Sequence, residues 1–177
     1  MNYTASQFFA PGALSADPSS DRFFSSVYRD FLNFADEAPL TAITDATAVR
    51  FFSIEPEACI VRLDSLSPNT NATIKAANGI IVVDQAQRLT FKTVHLAISD
   101  RRLRKLDSLI EKCDLWSQPP SQGAEGLDGW YGIVECAHTG RRVVVDRWCP
   151  KGPFGKLCQW FLDVKRDALR KAESNQS

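Results

Sequence analysis

Between Gly126 and Pro153 the chain gathers residue types that could do chemistry: Asp128, Trp130, Tyr131, Glu135, Asp146, Arg147, Trp148 and Cys149. Two carboxylates near one sheet end could serve glycosidic or metal chemistry. Asp146-Arg147 is as well explained by neighbouring side chains that point to opposite faces of a strand, each making a structural contact. Cys149 could act as a nucleophile if a histidine stood in reach, and His95 and His138 are the two histidines of the chain. His138 falls in the predicted turn of a hairpin whose far end carries Cys149. A strand of about seven residues spans roughly 20 Å, well beyond a hydrogen bond. Cys149 with His95 lacks a third, orienting group. No two cysteines or histidines stand at the short spacings of zinc sites, so neither a metal nor a cofactor is expected. Gly152-Pro153 at a helix start, beside Lys151, offers backbone N–H groups. The phosphate-loop pattern is absent, however, and Pro153 removes a donor.

Recognition chemistry remains. Trp130, Tyr131, Trp148, Arg141, Arg142 and Arg147 are of the types that concentrate binding energy in protein interfaces. On the outer face of a hairpin they would form a docking surface, with Asp128 at its edge. Alternatively Trp130 and Trp148 form a cross-strand pair over the core edge, adding up to about 1 kcal/mol to the sheet. Which face is outward decides between the two.

The elements that must position these residues follow from periodicity. Residues 1–20, with Pro11-Gly12 and Pro18, read as an irregular arm that Phe8-Phe9 could anchor. Phe24, Val27, Tyr28, Phe31 and Leu32 make one stripe of a helix over about 21–34, capped by Ser20 or Asp21. Strands are predicted at 48–54, 59–66, 72–77, 80–83 and 88–94, with turns at Ser67–Asn71 and Asn78-Gly79. Connections this short favour an antiparallel meander. Leu103, Leu106, Ile110 and Cys113 mark a helix over about 100–115, whose arginines and lysines are diluted by acids and read as a solvated face. Strands at 130–137 and 142–148 form the hairpin and place Trp130 near Trp148. A last helix runs over about 153–172, with Pro153 in its first turn, and 173–177 should fray. The fold class is therefore α+β: an antiparallel sheet of about five to seven strands with helices packed on one face, in the order α-β-β-β-β-α-β-β-α.

At 177 residues the chain reads as one domain, 21–172, behind its arm. Lysine plus arginine and aspartate plus glutamate number 21 each, which argues against nucleic-acid binding driven by charge. Nothing resembles a signal peptide or an apolar spanning run, so no membrane association is expected. The odd set Cys59, Cys113, Cys136, Cys149 and Cys158 reads as free, mostly buried thiols of a cytoplasmic protein.

Gly126-Leu127-Asp128-Gly129 before a strand, and Val145-Asp146-Arg147-Trp148-x-Pro150-x-Gly152-Pro153 before a helix, resemble a group of small uncharacterised bacterial proteins. So does the preceding Leu115-Trp116-Ser117-Gln118-Pro119. The resemblance spans about residues 58–165, with Cys149 where a serine is expected. It implies a small bacterial cytosolic α+β protein and carries no activity across. The sequence thus points to a non-enzymatic protein-binding module, an immunity or inhibitor protein that neutralises a toxin or effector through Asp128, Trp130, Tyr131, Arg141, Arg142, Arg147 and Trp148. The competing expectation is a small-ligand binder or hydrolase-like enzyme using Asp128, Asp146 and Arg147 beside Trp130 and Trp148.

Overall fold

Residues 2–40, 47–54, 58–78, 90–122 and 129–175 are described by a computed structural model. Strand β1 (Ala48–Ser53) is buried at every position. Its neighbours are β2 (Cys59–Leu63), which continues into β3 (Asn71–Asn78) and β4 (Thr90–Ala97), and the hairpin β6 (Tyr131–His138) and β7 (Arg141–Trp148) on the other side. The sheet order is β4-β3-β2-β1-β6-β7-β5, antiparallel except for the two-residue β5 (Ser121–Gln122), which pairs parallel with β7. Thr139 and Gly140 turn the hairpin with positive φ, the twist that two-residue hairpins favour. The Asn78-Gly79 turn, the strand expected at 80–83 and the start of the one expected at 88 lie outside the described residues.

The expected α+β class and element order hold, with a short extra helix α1 (Ala5–Phe8) ahead of α2 (Pro18–Phe34). The helices are not confined to one face. Helices α3 (Asp100–Lys112) and α4 (Gly152–Ser174) cover the face that carries Val49, Phe51, Val61, Val134 and Val145. Helix α2 and the arm cover the opposite face, where Phe52, Ile60, Ile133 and Val144 lie. Alternation explains the division: successive residues of a strand point to opposite sides, so the doublets Phe51-Phe52 and Ile60-Val61 present an apolar side chain to each layer. Helix α4 continues to Ser174, past the expected fraying point.

The arm is part of the core. Phe8, Phe9 and Leu14 are buried beside Tyr28, Phe31 and Leu32 of α2. Asp17, not Ser20 or Asp21, caps α2: its carboxylate accepts from the Ser20 N–H at 2.7 Å, and Pro18 occupies the first turn. Asp21 turns back and accepts from the backbone N–H groups of Gly12 and Leu14, each at 2.9 Å, fixing the path of the arm.

Beneath the arm lies a buried ionic network. Arg50 and Glu135 are opposite each other on β1 and β6 and wholly shielded from solvent. Arg50 donates through Nε to Glu135 Oε2 at 3.0 Å and through Nη2 to the same oxygen at 2.5 Å. Its Nη1 reaches the Ala38 carbonyl at 2.8 Å, with Glu37 at 3.6 Å. Arg142 holds the other Glu135 oxygen and donates to the Phe8 carbonyl, while Phe8 stacks on the Arg50 guanidinium at 5.6 Å. Glu37 also draws in Lys75 at 3.0 Å and Arg62 at 3.3 Å. Removing one partner of such a pair leaves a buried charge uncompensated, at about 3–5 kcal/mol. Glu135→Gln should therefore lose about that much in urea unfolding, and the double variant Arg50→Met/Glu135→Leu should recover most of it. A single-variant loss below about 1 kcal/mol would show that the network contributes little.

Candidate functional site

The residues singled out in the sequence divide between the two faces of β7. Arg142 and Asp146 point toward α2, and Arg141 and Arg147 toward the α3–α4 layer. Trp148, at the end of the strand, stands against Tyr131 and also borders the space between α3 and α4. Asp146 is buried, and its Oδ2 accepts from the Tyr28 hydroxyl at 2.6 Å, so this acid anchors α2 to the sheet. Asp128 lies outside the described residues. Trp130 precedes β6, and Tyr131 is the residue opposite Trp148, with ring centroids 4.8 Å apart. The expected Trp130–Trp148 pair is thus a Tyr131–Trp148 pair, and Phe24 of α2 lies 6.1 Å from the Tyr131 ring. Trp130 packs against the α3–α4 core. Arg141 is exposed, with its guanidinium 5.1 Å from the Trp116 ring.

Arg147 is a clamp. Its Nη1 donates to the carbonyls of Asp146 at 2.7 Å and Pro120 at 3.1 Å, and its Nη2 to the Pro119 carbonyl at 2.8 Å and Gln118 Oε1 at 2.9 Å. The guanidinium also lies 5.7 Å from the Phe154 ring centre. Burial lowers its pKa, with the Asp146 carboxylate pulling the other way. Gln118 Nε2 in turn donates to the Cys113 carbonyl at 2.8 Å, so the end of α3 is tied through Gln118 to β7.

That linkage forms the floor of a groove of about 790 Å³ where the end of α3, the exit of β7 and the start of α4 meet. Trp148, Pro150 and Phe154 supply apolar wall, and Lys112, Asp114 and Lys151 stand exposed at its edge. The backbone here is tightly shaped. Cys149 has φ 43° and Gly152 φ 60°. A Cβ on Gly155 would stand 2.5 Å from the Pro150 carbonyl oxygen, a contact that only backbone movement could relieve. Gly155→Ala should therefore displace the first turn of α4 and cost about 1–3 kcal/mol, measurable by urea unfolding.

Cys149 lines the groove and is half-buried, whereas Cys59, Cys113, Cys136 and Cys158 are buried. Neither histidine can serve it. His95 is on β4 at the far sheet edge, five strands or about 24 Å away, where its Nδ1 lies 3.3 Å from Thr73 Oγ1. His138 closes the other end of the hairpin, about 26 Å along the strand, 3.2 Å from Thr47 Oγ1. Among the described residues no group of three or more His, Cys, Asp and Glu is placed to hold a metal ion, and no helix is long and apolar enough to cross a membrane. No protein-family model matches the chain, and no curated protein is significantly similar to it in sequence.

Arg147 and Trp148 stand out in the sequence, whereas Lys112, Cys113, Asp114 and Gln118 reach the groove from outside the hairpin. No local signal marks them. The arrangement has a chemical consequence. Burial pushes the Cys113 thiol up to about 11 and the Cys136 and Cys158 thiols upward as well, so these three resist forming thiolate. At neutral pH the folded chain should react with one equivalent of an aromatic disulfide reagent, Cys149→Ser with none, and the denatured chain with five. A second thiol reacting at a comparable rate in the folded chain would contradict this burial pattern.

Proposed function

We propose that the chain is a non-enzymatic binding protein that takes a segment of another protein in the groove at the β7–α4 junction. A bacterial toxin or effector is the proposed partner class, an expectation that comes from the sequence alone. The observation that carries the binding reading is how the reactive groups are used. Asp146, Glu135, Arg142 and Arg147 hold layers together, and Cys149 stands far from both histidines. A preformed concavity with aromatic, proline and lysine side chains is left open to solvent. Such a surface supports recognition better than it supports proton or acyl transfer.

The groove also lies within the roughly 300–1,000 Å³ typical of small-molecule sites, which supports a second reading as a small-ligand binder. Asp146 takes no part in that reading, since it is bonded to Tyr28 under α2.

Cys149 offers the test. Proteins encoded beside this chain are mixed with it, and those retained are assayed for protection of the Cys149 thiol. A partner seated in the groove should slow thiol modification about tenfold or more, and a bulky adduct on Cys149 should abolish its capture. Recovery of a metabolite that protects Cys149, with no protein partner that does so, would replace the protein-binding reading with the small-ligand one.

A further inference from the structure

The molecule is electrically neutral as a whole, but helices α3 and α4 are not. Helices α3 and α4 together carry ten basic and six acidic side chains, so the rest of the chain, with eleven and fifteen, is negative by the same amount. The groove opens between the end of α3 and the start of α4. At its edge the Lys112 and Lys151 ammonium groups are exposed, and neither has an ion-pair or hydrogen-bond partner among the described residues. Among the described residues, Asp114 is the one acid that lines it. The walls between these charges are apolar, formed by Trp148, Pro150 and Phe154.

We infer that the groove selects an acidic segment of a partner protein, one that sets carboxylates against Lys112 and Lys151 and an aromatic or aliphatic side chain against Trp148 and Phe154. This rests on the groove being a protein-binding site. Charge complementarity argues for the occupant. Two exposed ammonium groups at the rim steer an oppositely charged segment and reject a basic one, while the apolar walls supply contact area that a free anion could not use. An extended polyanion fits less well. Asp114 stands at the same rim, and among the described residues only Lys112 and Lys151 line the groove as unpaired cations, too few to follow a long anionic chain.

A random dodecapeptide library displayed on phage can be selected against the whole chain, with binders retained only if a bulky adduct on Cys149 blocks them. Fluorescein-labelled peptides from these clones then serve as the probe. The expected clones carry net negative charge beside Trp, Phe or Leu. Their Kd should rise about tenfold in the double variant Lys112→Glu/Lys151→Glu, and should also rise between about 50 and about 300 mM salt. Both lysines are exposed, so this variant should keep the parent's unfolding midpoint, which urea unfolding would verify. Neutral or basic clones, a Kd within about twofold in the charge-reversed chain, or the absence of any clone blocked by the adduct would overturn the inference. So would displacement of the peptide by inorganic phosphate or duplex DNA at equal concentration, which would mark a general anion site. A natural partner that the Cys149 adduct blocks but charge reversal leaves bound would remove the acidic preference and leave the binding reading standing.

Discussion

The structure turns on one buried cation. Arg50 sits in the middle of the central strand, and its guanidinium has no route to water. A charge in that position must be met on every side, and the chain meets it with parts from three regions. Glu135 comes from β6, Glu37 and the Ala38 carbonyl from the segment after α2, and the Phe8 ring from the arm. Glu135 is shared with Arg142 of β7, which also binds the arm's backbone. An ion pair of this kind is weak evidence for stability when set against a well-packed apolar replacement. Its geometry nonetheless penalises any arrangement that leaves one member unmatched. That requirement ties the order β2-β1-β6-β7 to the position of α2 and the arm.

The functional consequence is one of commitment. Acids and arginines that looked available for chemistry in a linear reading are held by the scaffold: Asp146 by Tyr28, Glu135 by two arginines, Arg147 by the carbonyls of the chain leading into β5. Beyond its exposed turn end the hairpin is covered on both faces, by the α2 layer on one side and the α4 layer on the other. Open concave surface appears instead where three elements end together, and the clamp made by Arg147 and Gln118 gives it a rigid floor. Charges in the interior are matched within the scaffold, whereas Lys112 and Lys151 at the rim are exposed and have no ion-pair or hydrogen-bond partner among the described residues.

Much of the fold was legible in local pattern. Alternation at Val61 and Leu63, the 3.6-residue stripe of α3 and the hairpin around His138-Thr139-Gly140 all correspond to observed elements. The helices were expected on one face, whereas the doublets Phe51-Phe52, Ile60-Val61 and Ile133-Val134 belong to a sheet covered on both, because a strand with one wet face does not repeat apolar residues side by side. The Tyr131–Trp148 pairing was one residue away from the expected one. Register is set by how the whole strand lies against β1, where Ile133 meets Phe52, and not by the two aromatic residues themselves.

By itself, the sequence determined the class of structure and the existence of nearly every element, since these depend on periodicity, turn residues and caps within a few positions of one another. It also determined that Cys149 and His138 stand apart, because both lie on one hairpin of known reach. Only the tertiary structure decided which charges are spent and which are free. Arg50 and Glu135 are 85 residues apart, Tyr28 and Asp146 118, and Lys112 and Lys151 meet at one groove only because α3 and α4 pack on the same face. Pairings over such distances depend on sheet order and on which layer covers which face, and no local spacing records either.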